Sequence, residues 1–154
     1  MKSIRCSVLL VEDDPLVIDL ARSAVAESSH ELDLTVLEDI DAVLDWLNGS
    51  VSNVKFITHI VLLDMKFPKL DGLALLRTVR KYPAMRDIPI VVFSTEYTQA
   101  DVLMSYQAGA NSFVAKPTDQ MQFGELFSEQ LAYWVRSRQG EMPVAANSDA
   151  AGSI

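Results

Sequence analysis

The feature that most constrains this chain is an alternation. Five short apolar runs, SVLLV (7–11), LTVLE (34–38), ITHIVLLD (57–64), IPIVVFS (88–94) and NSFVAKP (111–117), are separated by stretches with helical spacing. The runs are β-branched or aromatic-rich and bounded by turn formers or charges, as strands are. Between them, Leu16, Ile18 or Leu20, Ala21 and Val25 line one helical face, and Val43, Leu44 and Leu47 a second. Leu73, Leu76 and Val79 follow the N-cap candidate Asp71, and Val102, Tyr106 and Ala110 lead to Gly109 as a left-handed cap. Phe123, Leu126, Phe127, Leu131 and Trp134 mark a fifth helix, capped by Thr118 or Asp119. Strand alternating with helix five times implies right-handed crossovers and a parallel sheet covered on both faces. The strands are apolar throughout, as buried parallel strands are. The expected class is therefore α/β, a doubly wound five-stranded parallel sheet.

The 154 residues suffice for one domain with a proper core. We place that domain at 1–139 and expect the tail GEMPVAANSDAAGSI (140–154), which has no apolar period, to be disordered. A net charge of -8 argues against nucleic acid or an anionic membrane surface as a direct partner. The apolar run from Cys6 to Val11 stops at Glu12, too short for a signal peptide, and no run of ~18 apolar residues could span a bilayer. Cys6 is the only cysteine, which excludes an intrachain disulfide, and it reads as inert packing. A cytoplasmic protein is expected. His30 reads as solvated and His59 as a structural strand histidine; with no second ligand at zinc spacing, zinc is not expected.

In an open α/β sheet, ligands bind beyond the carboxyl ends of the strands. Strand one delivers Glu12 and Asp13, strand three Asp64, strand four Ser94 and Thr95, and strand five Lys116 followed by Pro117. Like charges about 6 Å apart cost roughly 3 kcal/mol per pair at an effective dielectric of about 20, so three acids at one site call for a cation. Hard oxygen donors suit Mg²⁺, which takes one or two carboxylates and keeps several waters. Taken alone, Glu12-Asp13-Asp14 would be a helix-entrance acidic cluster, and Asp14 with Pro15 fits that plain role as N-cap and first helical residue. Lys116 alone would be a surface lysine, Ser94 a loop hydroxyl, and Phe113 and Trp134 plain core. Only the joint placement gives the set meaning.

These residues, in this order, resemble the receiver domain of two-component response regulators, from residue 6 to about 138. The resemblance rests on the acid pair Glu12 and Asp13, on Asp64-Met65-Lys66-Phe67-Pro68 followed by Asp71-Gly72, on Ser94, and on Lys116-Pro117 with Phe113 three residues earlier. It implies a (βα)5 flavodoxin-like fold with strand order 2-1-3-4-5. It further implies Asp64 as phosphoacceptor, with Ser94 and Lys116 assisting. Mg²⁺ would sit on Glu12, Asp13, Asp64 and the Lys66 carbonyl, the Lys116–Pro117 peptide would be cis, and Ser94 and Phe113 would form the switch. The implied partners are a histidine kinase as phosphodonor and a downstream protein docking on the face of the fourth helix, fifth strand and fifth helix.

The motifs VEDDP, FPKLDG, YQAGANSFVAKP and LAYWV also resemble regulators paired with phytochrome kinases, which would imply a light-sensing kinase and a homodimer. A relay or phosphate-sink receiver is the alternative within the class. A dehalogenase-type aspartyl phosphatase would need a second Asp where Lys66 stands, and a non-phosphorylated pseudo-receiver would have lost Asp64, Lys116 or the acid pair. The chain then catalyses only its own phosphorylation and dephosphorylation. Lys66, Thr95 (where the family most often has alanine) and Glu96 flank the path of attacking water, so these three are expected to tune the phosphoryl lifetime.

Overall fold

The structure, a computed structural model, describes residues 6–29, 31–50, 60–66 and 71–138. His30, His59, Pro68 and the 140–154 tail lie outside these residues. The elements alternate as expected: β1 (Cys6–Val11), α1 (Pro15–Glu27), β2 (Leu32–Leu37), α2 (Ile40–Ser50), β3 (Ile60–Asp64), α3 (Gly72–Arg80), a short 3₁₀ turn (Pro83–Met85), β4 (Ile90–Ser94), α4 (Gln99–Ala108), β5 (Ser112–Ala115) and α5 (Gln120–Arg138). The strands form one parallel sheet in the order β2-β1-β3-β4-β5.

Successive strand side chains point to opposite faces, and this divides the core in two. Leu9, Val11, Val61, Leu63 and Val92 pack with Val43, Leu47, Leu73, Leu76 and Val79 from α2 and α3. Val8, Leu10, Leu62, Val91 and Phe93 pack with Ile18, Ala21, Phe127, Leu131 and Trp134 from α1 and α5. Phe93, Phe123 and Phe127 stack on that second face, at centroid separations of 6.0 to 6.2 Å. Trp134 is therefore core.

Local chemistry sets the helix ends. Asp14 accepts from the Leu16 amide with Pro15 in the first turn, Asp71 accepts from Leu73, and Asp119 accepts from Gln122. α4 opens with a reciprocal Thr98–Asp101 capping box and closes on Gly109 at φ 116, the left-handed residue anticipated. Two expectations shift. The Asp14–Pro15 start turns α1 so that Val17, Ile18, Ala21 and Ala24 face the sheet, and Leu16 is left 45% exposed. In α4, Val102 and Tyr106 pack half-buried against the α2–α3 core as expected and Ser105 is fully buried, but Ala110 lies past the helix end.

Candidate functional site

Because all five strands run in parallel, their carboxyl ends open on one edge of the sheet, and the charged residues that follow them gather there. The Glu12 amide extends the ladder by donating to the Leu37 carbonyl at 3.1 Å, which draws Glu12 inward; its side chain is buried. Asp64, the last residue of β3, is also buried, while Asp13 is exposed. Glu12, Asp13 and Asp64 offer carboxylate oxygens that all lie within 4.8 Å of one another.

Lys116 answers this charge. Its Nζ donates to Glu12 Oε1 at 2.8 Å and stands 3.6 Å from Asp64 Oδ2. The Phe123 ring lies beneath it, with Nζ 5.8 Å from the centroid, within cation–π range. The other Glu12 oxygen accepts from the Asp13 and Asp14 amides at 3.1 and 3.4 Å. On Asp64, Oδ1 accepts from the Lys66 amide at 3.1 Å. Even so, burial and the neighbouring Asp64 carboxylate push Glu12 up to a pKa of about 7, against the opposing pull of Lys116. A buried acid held near neutrality beside two others is an under-neutralised site. Three hard oxygen donors at this spacing fit a divalent cation such as Mg²⁺.

The remaining residues are placed as follows. The Lys116 amide donates to the Ser94 carbonyl at 2.8 Å, which fastens the end of β5 to that of β4. Ser94 is fully buried, but its hydroxyl donates to the Glu96 carbonyl at 2.8 Å. Phe113 is buried in the α2–α3 core, and its amide donates to the Tyr106 hydroxyl at 3.2 Å. Lys66, Thr95 and Glu96 are exposed, and no ion pair joins Lys66 to Glu96. One expectation is corrected: there is no cis peptide among the described residues, so the Lys116–Pro117 bond is trans. Trans is the intrinsically favoured isomer even before proline, and in it Lys116 already makes both its backbone and its Nζ contacts.

Sequence reasoning missed Tyr97. Its ring meets Phe113 edge-on at 5.0 Å while the residue stays 45% exposed. The available signal was an aromatic residue three after Ser94, on a segment with no apolar period to bury it.

Comparison with known proteins agrees with this geometry. Residues 8–127 match the family model described as the response regulator receiver domain. The response regulator Rcp1 of Synechocystis is 26% identical over 132 residues, spanning 84% of this chain and 89% of that protein. The phosphorylated cyanobacterial phytochrome response regulator RcpA superposes with a TM-score of 0.79 at 26% identity, over 87% of this chain and 96% of that one. The bacteriophytochrome response regulator AtBRR is 34% identical, with a TM-score of 0.59, over 82% of this chain and 94% of its own.

Proposed function

The chain belongs to the response regulator receiver family, and from that premise we propose that a histidine kinase phosphorylates it on Asp64. The observation that carries this reading is the Asp64 carboxylate itself. It is buried at a strand end, oriented by the Lys66 amide, and faced by a lysine and two further acids. An Asp64 oxygen attacks the phosphorus of a phosphohistidine in line; the new O–P bond forms as the imidazole nitrogen leaves. Lys116 pairs with the transferred oxygens, a role supported by the 3.6 Å between its Nζ and Asp64 Oδ2. Glu12, Asp13, Asp64 and the Lys66 carbonyl are the residues to hold Mg²⁺. When bound, Mg²⁺ neutralises charge on the phosphoryl group. The Ser94 hydroxyl donates a hydrogen bond to a phosphoryl oxygen, and the signal leaves by the α4-β5-α5 face to a protein partner.

Three relatives that carry phytochrome or Rcp names support a light-sensing kinase as phosphodonor. Among the described residues no helix is long and apolar enough to cross a membrane, in keeping with a cytoplasmic regulator.

Intact-mass measurement with a small acyl phosphate tests the assignment. The wild type should gain one phosphoryl group, and neither Asp64→Asn nor the chelated wild type should gain any. A gain that survives in the mutant removes Asp64 from its role.

The lifetime of the phosphoryl group is a separate question. Lys66, Thr95 and Glu96 are exposed around the mouth of the site. If Lys66 and Glu96 close over the acyl phosphate, both Lys66→Ala and Glu96→Ala should dephosphorylate several-fold faster than the wild type. Slower decay of Glu96→Ala would instead make Glu96 a residue that orients the attacking water.

A further inference from the structure

Lys116 brings its ammonium to the acids on a long, flexible stem. Its backbone is fixed, since the amide donates to the Ser94 carbonyl at 2.8 Å, but the side chain has to be held as well. Nζ donates to Glu12 Oε1 at 2.8 Å and stands 3.6 Å from Asp64 Oδ2, too far for a hydrogen bond. A divalent cation on Glu12, Asp13 and Asp64 would draw on the same two carboxylates and repel the ammonium. Room to leave is at hand. A cleft of about 250 Å³ opens beside Lys116, lined among others by Asp14, Leu16, Thr95 and Phe123, and Asp14 there offers the ammonium another carboxylate.

The remaining holder is Phe123, whose ring centroid lies 5.8 Å from Nζ. This ring cannot follow the lysine. Phe123 is buried, and it stacks on Phe93 and Phe127 at 6.0 and 6.2 Å, with interplanar angles of 19° and 24°. Phe93 is itself fixed in β4, in register with Asp64. The turn from Lys116 to Phe123 is pinned by Asp119, whose side chain accepts from the Gln122 amide and whose carbonyl accepts from the Phe123 amide, both at 3.0 Å.

An aromatic face suits this task for two reasons. Its attraction to a cation claims none of the three N–H donors of the ammonium, so they stay available to oxygens. It is also no ligand for a hard divalent cation, which selects oxygen donors.

We infer that Phe123 is a positioning residue: its ring face retains the Lys116 ammonium at the site when Glu12 and Asp64 are engaged by a divalent cation, so that the lysine is in place for the incoming phosphoryl oxygens. The last clause rests on the reading of Asp64 as phosphoacceptor. A ring that only filled the core would act through its volume. A ring that holds a cation acts through the negative charge of its face, which fluorination withdraws at nearly constant shape.

The test uses the full chain with 4-fluoro-, 3,5-difluoro- or 3,4,5-trifluorophenylalanine placed at position 123 alone by stop-codon suppression. Two quantities are read: the Mg²⁺ affinity of the unphosphorylated protein by calorimetry, and the single-turnover rate of phosphorylation by a small acyl phosphate at saturating Mg²⁺. They should move in opposite directions. As the face weakens, Lys116 yields Glu12 more readily, and the trifluoro ring should tighten Mg²⁺ binding about twofold. The rate follows the fraction of molecules with Lys116 in place and should fall about fivefold. Phe123→Leu, apolar but without a π face, should go at least as far in both; the fluorinated series decides if Phe123→Leu does not fold. In Lys116→Met no cation faces the ring, and the series should leave Mg²⁺ affinity within about 1.5-fold. Unchanged Mg²⁺ affinity across the series, or the same trend in Lys116→Met, overturns the inference. So does a joint fall of affinity and rate, which a disturbed fold would give, and so does tighter Mg²⁺ binding with an unchanged rate. If the wild type takes up no phosphoryl group, the Asp64 reading fails, and the Mg²⁺ affinities still decide whether the ring holds the lysine.

Discussion

Gly72→Ala is expected to destabilise the fold by about 2–4 kcal/mol. Gly72 opens α3 behind its N-cap Asp71, a position where alanine would ordinarily be welcome. The obstacle is tertiary. A Cβ there would stand 2.5 Å from the Met65 carbonyl oxygen and 2.9 Å from the Met65 Cα. These are backbone atoms and cannot swing aside as a side-chain tip would. Either α3 retreats from the sheet or the turn after β3 moves. That turn carries the Lys66 amide that orients Asp64 at 3.1 Å, so the second response disturbs the phosphoacceptor directly. Phosphorylation by a small phosphodonor should therefore slow, beyond what the loss of folded protein explains. Urea unfolding and single-turnover phosphorylation of the same samples check both parts. A stability change within about 0.5 kcal/mol of zero, the range of a neutral surface substitution, would refute the steric argument.

The second large effect is on pH dependence. The metal-free protein should gain about 2 kcal/mol from Glu12 alone as the pH falls from about 8 to about 5.5. The cause is a carboxyl pushed from its ordinary 4.5 up to about 7 by burial and by the Asp64 carboxylate. A group whose folded pKa lies above its unfolded value binds more protons when folded at any pH between the two. Its contribution is fully present below about 4.5 and is lost as the pH rises through about 7. Glu12→Gln has nothing to titrate, so the difference between wild type and Glu12→Gln isolates the effect from the other acids. Parallel stability curves for the two proteins between these pH values would show that Glu12 is not the responsible group. Lys116→Met should steepen the wild-type dependence, because the lysine is what opposes the rise. Saturating Mg²⁺ should invert the trend, since bound metal requires deprotonated ligands and stability then grows with pH.

The same pair of residues separates what was legible in the sequence from what was not. The alternation of apolar runs with helical periods specified the parallel sheet, because a buried parallel strand and an amphipathic helix each leave a local signature. The caps Asp14, Asp71 and Gly109 were readable for the same reason: a helix end is satisfied by residues next to it in the chain. The candidate site was legible as well, since in this topology every residue just past a strand lies on one edge. Glu12, Asp64 and Lys116 could thus be named together although Glu12 and Lys116 are 104 residues apart.

Atom-level partners were not legible. That Lys116 spends its charge mainly on Glu12, that the Ser94 hydroxyl faces Glu96, that Tyr97 leans on Phe113 and that Lys116–Pro117 is trans depend on how layers pack. Arg80 is the clearest instance. Its position at the end of α3 looks like an ordinary basic residue in a last helical turn, yet its guanidinium collects carbonyls from three other segments. Gly72 carries the same lesson in reverse, since an unremarkable backbone conformation conceals the close approach of Met65. Periodicity, capping and motif order are written within a few residues of one another, so the sequence alone determined the fold, the edge that bears the chemistry and the residues that meet there. Which donor satisfies which acceptor is settled by distances between segments far apart in the chain, and packing, with its volume and hydrogen-bond constraints, was needed to decide them.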